Sequence, residues 1–374
     1  MGKIVVIGAG ILGASTAYHL AKADADVTLV DRRDRGQATD AAAGIVCPWL
    51  SQRRNKAWYQ LAKGGARYYP ELIRQLEADG ETETGYNLVG TLSLHTDPEK
   101  LEKMAERAVK RREDAPEIGE IKILSPEETK LLFPPLSAEY GSVFVSGGAR
   151  VDGREMQNAL VNAAVKNGAE ILKGSASLIL ENGRVAGVSV DGKALQADQV
   201  IVTAGAWSNE ILKPLGIEFK VTPQKAQIIH LKLPEADTSS WPVVMPPTNQ
   251  YILAFEDGHV VVGATHEDEA GFDHRVTAGG VHEILTKALP IAPGLSEAEL
   301  VETRVGFRPF TPGFLPVIGA FPNYKNIWVA NGLGASGLTS GPYLGAELAK
   351  LALGKPTELD LSNYNVAGAI EHKK

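Results

Sequence analysis

"KIVVIGAGILGASTAYHLA", residues 3–21, is the stretch on which the fold turns. Its first part, Lys3 to Gly8, is a continuous β-branched run closed by glycine, the pattern of a strand buried in a parallel sheet. Residues 12 to 23 carry apolar positions at helical spacing, and "ADVTLVD", ending at Asp31, reads as a second strand. Together these make a βαβ unit with Gly8, Gly10 and Gly13 in the connecting turn. The first glycine permits the tight turn, the second lets the backbone approach a pyrophosphate, and the third lets helix and strand pack closely. The helix N-terminus adds N–H donors and the positive end of a dipole. Asp31 stands where it can accept hydrogen bonds from a ribose. NAD and FAD both suit this pattern, and Arg32 with Arg33 would also suit a 2′-phosphate, so the stretch alone leaves the dinucleotide open.

The same residues have the positive charge, apolar run and small residues of a short signal peptide, but the glycine spacing favours the nucleotide reading. No apolar run approaches the roughly 20 residues that cross a bilayer. A chain of 374 residues, 44% hydrophobic and 22% charged, is a globular sequence long enough for two or so domains. The net charge of -7 weighs against nucleic acid as a partner, and the basic runs "DRRDR" and "VKRRED" are interleaved with acids, as on a solvated face. The single cysteine, Cys47, precludes an intramolecular disulfide and fits a reducing compartment or an indifferent one; a cytoplasmic location is expected.

Further along, "GTLSLHT" alternates as a strand does, and "DPEKLEKMAERAVKRRED" reads as an exposed amphipathic helix. Asp152 and Glu155 resemble a capping box opening a helix that ends before Gly168. "AEIL" is a short strand, and the turns Asn182-Gly183 and Asp191-Gly192 predict an antiparallel meander. "QVIVTAG" is another buried strand; "KAQIIHLKL" and "YILAFEDGHVVVGAT" predict an antiparallel sheet, with a helix near 278 to 289. "NIWVANG" and a small-residue helix from about 338 follow. The fold class is therefore α/β: a nucleotide-binding domain built from the separated segments 1–85, 140–219 and 301–374, interleaved with a second, mainly antiparallel β domain from 86–139 and 220–300.

"NGLGASGLTSGP", residues 331–342, is a second glycine-rich loop running from a strand into a helix. It lacks the G-x-S-x-G spacing of a hydrolase elbow, and the chain has no GxxxxGK[ST]. Such a helix terminus could face the electron-rich end of a flavin, or its small residues could serve helix packing. The eight histidines are scattered and match no standard ligand spacing, so no metal is expected. His266 reads as a polar rim residue; Phe255, Met245 and Ile45 are candidates to shape a pocket, while Trp49 and Trp207 read as packing residues. "VGFRPFTPG", residues 305–313, sets Arg308 in a run with few polar partners of its own.

Taken together, "VVIGAGILGASTAYHLA", "ATDAAAGI", "GGARVDGREM", "VIVTAGAWSNEI", "YILAFEDGHVVVGAT", "VGFRPFTPGFLPVIG" and "NGLGASGLTSGP" resemble, in order and over nearly the whole chain, the D-amino-acid oxidase family of flavoenzymes, most of all its glycine oxidase and D-amino-acid oxidase branch. The resemblance implies FAD, and it makes the first domain a Rossmann-type FAD-binding domain and the interleaved, mainly antiparallel β domain the substrate-binding domain. It assigns cofactor contacts to Gly8, Gly10, Ile11, Leu12, Gly13, Asp31, Arg32, Thr39, Ala42, Ala43, Gly44, Ile45, Thr203, Ala204, Gly205, Gly334, Ala335, Ser336, Gly337, Leu338 and Thr339, with Asp40 a further polar neighbour. It gives Arg308 to the substrate carboxylate, a task suited to a planar guanidinium, and Tyr251 a contact with the same group. Members that bind FAD covalently carry a cysteine near the Arg308 segment; here Cys47 is distant in sequence, so the implied FAD is non-covalent. Departures are Gly313 where Asp is common, Ala254-Phe255 in place of Pro-Arg, "PQKAQ" in place of a Pro-x-Arg-Gly-x run, and Asp31 where Glu is usual.

The reaction implied is oxidation of the Cα–N bond of a small amino acid, glycine or a D-amino acid, by hydride transfer to flavin, with 2-oxo acid, ammonia and hydrogen peroxide as products. Open beside it are secondary or N-substituted amino acids as substrates, and a quinone or carrier in place of dioxygen. The resemblance also allows a homo-oligomer.

Overall fold

A computed structural model of the chain describes residues 2–182 and 184–372. Gly183, in one of the two expected turns, lies outside the described residues. A six-stranded sheet runs Val317–Phe321, Tyr324–Asn331, Gln199–Val202, Ile4–Ile7, Val27–Asp31, Glu170–Lys173 in spatial order. Its strands are parallel except for the Val317–Phe321 edge, which hairpins onto its neighbour. Ile4 to Ile7 are buried on both faces, which is why that strand reads as an unbroken apolar run. Helices Ile11–Ala21, Gly153–Lys166 and Gly337–Ala352 contribute to one core on this sheet, together with the 23-residue helix Lys56–Ala78. The meander Ala176–Glu181, Arg184–Val190, Lys193–Gln196 supplies the other core. Its Asp191-Gly192 turn has both residues at positive φ, 48° and 83°, as a two-residue hairpin of this twist requires.

The second layer is an eight-stranded sheet: Glu299–Phe310, Thr222–Lys232, His259–Gly263, Tyr251–Ala254, Val243–Met245, Thr91–His95, Gly141–Val145, Ile121–Leu124. All its pairings are antiparallel except Val243–Met245 with Thr91–His95. Helix Ala278–Ala288 packs over this sheet, where Ile284 and Ala288 join Ile229, Val260 and Val262 in a third core. Two borders differ from those read in the sequence. Gly141–Val145 and most of Glu299–Phe310 belong to this sheet, so its segments end near 145 and 310 rather than at 139 and 300. Cross-strand pairing, which the local pattern does not carry, sets those limits.

Helix Lys56–Ala78 was not anticipated, because Gly64, Gly65 and Pro70 interrupt its pattern. The glycines admit Tyr343 and the Thr339 carbonyl from helix Gly337–Ala352, so the residues that hide the helix also dock it.

Candidate active site

The ends of the parallel strands and one edge of the eight-stranded sheet enclose a cleft of about 440 Å³, within the range of about 300–1,000 Å³ usual for ligand pockets. The turn from Ile4–Ile7 into helix Ile11–Ala21 forms its first wall. Gly8 has a φ of 101°, and a Cβ there would stand 2.6 Å from the Thr203 carbonyl oxygen. A Cβ on Gly13 would lie 1.8 Å from the Gly8 oxygen, whereas one on Gly10 would meet only Thr39 Oγ1, at 3.4 Å. The outer glycines thus hold the turn together, and the middle one leaves bare backbone facing the cleft. Gly10 and Ser336, which precede helices Ile11–Ala21 and Gly337–Ala352, make no side-chain cap. Both helix starts line the cleft, where an anion would meet N–H donors and positive dipole ends.

Asp31 closes one end. Its Oδ2 accepts from the Ala9 N–H at 2.6 Å, and its Oδ1 accepts from the Arg33 N–H at 2.5 Å and Gln37 Nε2 at 3.1 Å. A carboxylate has about four lone-pair sites, so capacity remains for ligand hydroxyls. Thr39 Oγ1 accepts from the Ile11 N–H at 3.0 Å, tying the loop to the helix start and leaving its own proton free to donate. Gly44, at a φ of 87°, has no room for a Cβ because the Val151 oxygen would be 1.8 Å away. Ala42, Ala43 and Ile45 flank it on the cleft wall, which Thr203, Ala204 and Gly205 also line. In the second glycine loop, Gly334 to Thr339 all line the cleft, with Thr339 donating to the Ile45 carbonyl at 2.7 Å and Ser336 accepting from Trp58 Nε1 at 2.9 Å.

At the other end stand Arg308 and Tyr251. The register of Glu299–Phe310 on Thr222–Lys232 sets Arg308 opposite Gln224, whose Oε1 accepts from Arg308 Nη1 at 3.1 Å. Among the described residues no carboxylate pairs with Arg308. Burial raises the pKa of the Tyr251 phenol, partly offset by the charge and hydrogen bond of Arg308. The phenol therefore stays neutral and able to donate. His266 is on the exposed rim, and burial of its ring together with Arg308 lowers its pKa.

Nearly all the residues anticipated from sequence meet in this one cleft. Gly13 does not line it; it stands behind the turn, against Gly8. Asp40 is also off the wall, with its carbonyl turned to Arg304. Met245 and Ile45 face the cleft, but Phe255 is in a core beneath the Arg150 guanidinium, 4.8 Å from the ring centre. Trp207 lines the cleft as well as packing on Phe272 and Phe307. Cys47, remote in sequence, is brought to the same wall, where burial raises its thiol pKa to about 11 and keeps it protonated. Lys225, in the divergent "PQKAQ" segment, is fully buried between Glu267 and Asp273, each at 3.4 Å, and does not face the cleft. Arg53, Trp58 and Asn249 are lining residues that the sequence did not single out. They lie in loops or at the start of the uninterpreted helix, with no local motif to mark them.

A nucleotide-binding βαβ turn, a second glycine loop aimed at the same cleft, and an antiparallel sheet presenting a cation and a phenol define a two-layer dinucleotide-dependent oxidoreductase. The chain belongs to the FAD-dependent oxidoreductase family known as DAO, whose profile matches residues 3–351. It is an enzyme of that family, and its cofactor is FAD. It is 67% identical over 371 residues to the uncharacterized oxidoreductase YurR of Bacillus subtilis (strain 168), covering 99% of this chain and 100% of that one. It is 31% identical over 374 residues to a glycine oxidase of Pseudomonas aeruginosa, covering 98% and 99%. Among solved structures, the iminodiacetate oxidase of Chelativorans sp. BNC1 matches with a TM-score of 0.94 and 48% identity over 97% of this chain and 98% of that one.

Proposed function

We propose that this enzyme oxidises the Cα–N bond of a small amino acid whose carboxylate is held by Arg308. The observation that carries this reading is an arginine in the cleft with no carboxylate of its own, beside a neutral tyrosine. A guanidinium in such a place lacks its preferred partner until a substrate brings one. Arg308 would bind the carboxylate through paired N–H donors, and Tyr251 would donate to the same group. That fixes the Cα–H in one direction and replaces a bimolecular search by a held geometry. Met245, Ile45 and Trp58 give the chamber apolar walls. Gly8, Gly10, the helix start at Ile11, Asp31, Thr39 and the loop 334–339 would hold FAD, which supplies the two-electron acceptor for the hydride leaving Cα. Hydrolysis of the resulting imine gives a 2-oxo acid and ammonia. With dioxygen as the acceptor the sum is amino acid, dioxygen and water going to 2-oxo acid, ammonia and hydrogen peroxide.

Glycine and D-amino acids are the first substrates of this reading. The 48% identity to an iminodiacetate oxidase favours a second, an N-substituted glycine that releases glyoxylate and an amine. We place the reaction in the cytoplasm; among the described residues no helix is long and apolar enough to cross a membrane.

The test is an anaerobic titration of the yellow holoenzyme with glycine, D-alanine, sarcosine and iminodiacetate, followed by admission of air. Bleaching by one of them, and peroxide on aeration, is the expected result. Arg308→Ala should lower kcat/KM for that substrate by about 100-fold or more, in line with truncating one partner of a desolvated charge pair. Amine turnover that survives this change would overturn the assignment.

A further inference from the structure

The substrate end of the cleft holds a second guanidinium. Arg53 and its neighbour Arg54 both reach solvent, but only Arg53 lines the cleft, so it stands at the mouth of this end. Arg53 is held in place. Its guanidinium stands 4.6 Å from the centre of the Trp58 ring, and Trp58 is fixed in turn by the hydrogen bond from its Nε1 to Ser336 at 2.9 Å. The loop is anchored by the Arg53 N–H on Ser51 Oγ at 3.2 Å and by Asn55 capping the helix that starts at Lys56. Among the described residues Arg53, like Arg308, forms no ion pair with an Asp or Glu.

The distribution of charge along the cleft is one-sided. Its acids, Asp31 and Asp34, lie with Arg32 at the far end, by the turn after Val27–Asp31. Among the described residues, the end that carries Tyr251, Arg308 and Arg53 has no carboxylate on its walls. Arg308 is near enough for its charge, after burial, to be the cause that lowers the Arg53 pKa. Two like charges that face one chamber, with no counter-charge among the described residues at that end, leave both guanidiniums free to take an anionic group. A monocarboxylate such as glycine pairs with one of them. A ligand with two carboxylates pairs with both.

We propose that the substrate is a dicarboxylic amine, with Arg308 holding the carboxylate beside the reacting carbon and Arg53 holding the second one. This rests on the amine-oxidising reading above and narrows it to a substrate class. The second carboxylate can sit on the nitrogen substituent, as in iminodiacetate, or on the side chain, as in D-aspartate; both present the same charge to Arg53. For the first, the balanced sum is iminodiacetate, dioxygen and water going to glyoxylate, glycine and hydrogen peroxide.

Binding is tested on the FAD-loaded enzyme by calorimetric titration with oxydiacetate and methoxyacetate. These share a C–O–C frame, carry two carboxylates and one, and have no amine to oxidise. Oxydiacetate should bind at least about 10-fold more tightly, the worth of one charged hydrogen-bonded contact. Arg53→Ala should cost about 30-fold for oxydiacetate and no more than about threefold for methoxyacetate, with Arg53→Lys recovering part of the loss. In turnover, kcat/KM should favour iminodiacetate over sarcosine, or D-aspartate over D-alanine, and Arg53→Ala should remove that preference chiefly through KM. Whichever pair shows it names the position of the second carboxylate. Equal affinity for the two ethers, or an Arg53→Ala loss equal for both, overturns the proposal. If glycine or sarcosine bleaches the flavin while the dicarboxylates gain nothing, this inference fails and the amine-oxidising reading stands. If oxydiacetate binds through both arginines but no amine bleaches the flavin, the amine reading fails and the two-carboxylate site stands.

Discussion

At the scale of single residues, the three glycines of the first turn do different work, although the sequence writes them alike. Gly13 has backbone 1.8 Å from where its Cβ would be, and Gly10 has nothing nearer than a hydroxyl at 3.4 Å. Gly10 is also in extended backbone, with φ -61° and ψ 174°, which alanine adopts freely. Gly13→Ala should therefore destabilise the apoprotein, by at least roughly 1–3 kcal/mol as overpacking does, and weaken FAD as a consequence. Gly10→Ala should leave the apoprotein's urea midpoint close to that of the parent while raising the Kd for FAD about 10-fold or more, because the added methyl stands where the pyrophosphate approaches. Urea unfolding of the apoprotein and quenching of FAD fluorescence on binding measure the two effects separately. An apoprotein destabilised equally by both changes would show that Gly10 is a packing residue too. This distinction was not legible in the motif, which marks where glycine stands but not which neighbour excludes a side chain.

At the scale of elements, the sequence was legible wherever pattern and local chemistry agree. The strands Ile4–Ile7, Val27–Asp31 and Gln199–Val202, and the helix that Asp152 caps through the Arg154 and Glu155 N–H groups at 2.8 and 3.0 Å, stand where periodicity and capping put them. Helix Lys56–Ala78 was missed because its tertiary role overrides its propensity: Gly64 and Gly65 are poor helix formers that let the glycine loop's own helix approach. Arg53 was missed with it, being a loop residue placed by the start of that helix. The docking can be tested by two glycine substitutions of opposite sign. A Cβ on Gly65 would lie 2.1 Å from the Thr339 carbonyl oxygen, so Gly65→Ala must push apart a helix and the cleft loop and should lower Tm by roughly 2–8 °C while weakening FAD. Gly279, in helix Ala278–Ala288, has nothing within 4 Å of its Cβ position, so Gly279→Ala should stabilise by roughly 0.4–1 kcal/mol and leave FAD binding alone. Scanning calorimetry of the holoenzyme, with free FAD titrated separately, reads both.

At the scale of the whole molecule, the cleft exists because two sheets built from interleaved segments meet, and histidines packed within and against those sheets make stability depend on pH. His19 Nδ1 lies 2.7 Å from the Ser15 carbonyl and Nε2 lies 2.5 Å from Tyr68 Oη; a carbonyl only accepts, so Nδ1 donates to it, and in the neutral ring Nε2 accepts from the Tyr68 hydroxyl. Burial lowers its pKa to about 4. On neighbouring strands of the eight-stranded sheet, His230 Nδ1 and His259 Nε2 share a hydrogen bond of 2.9 Å, and burial, then Arg304 and His259, lowers the His230 pKa to about 3. In the unfolded chain both would titrate near the ordinary value of about 6.5. Above that pH neither state binds the proton, and stability is at its full value. As pH falls from about 6.5 towards 4, the unfolded chain takes up protons that the folded one refuses, so stability must fall with it. The slope approaches roughly 1.4 kcal/mol per pH unit for each histidine and about twice that for the two together. Urea midpoints taken between pH 7 and 5, above the main carboxylate range, should decline accordingly, with His259, whose pKa burial also lowers, adding to the slope, and His230→Asn should make it shallower. A flat profile over that interval, or a slope that His230→Asn leaves intact, would mean that these rings accept their protons without opening the cores that bury them.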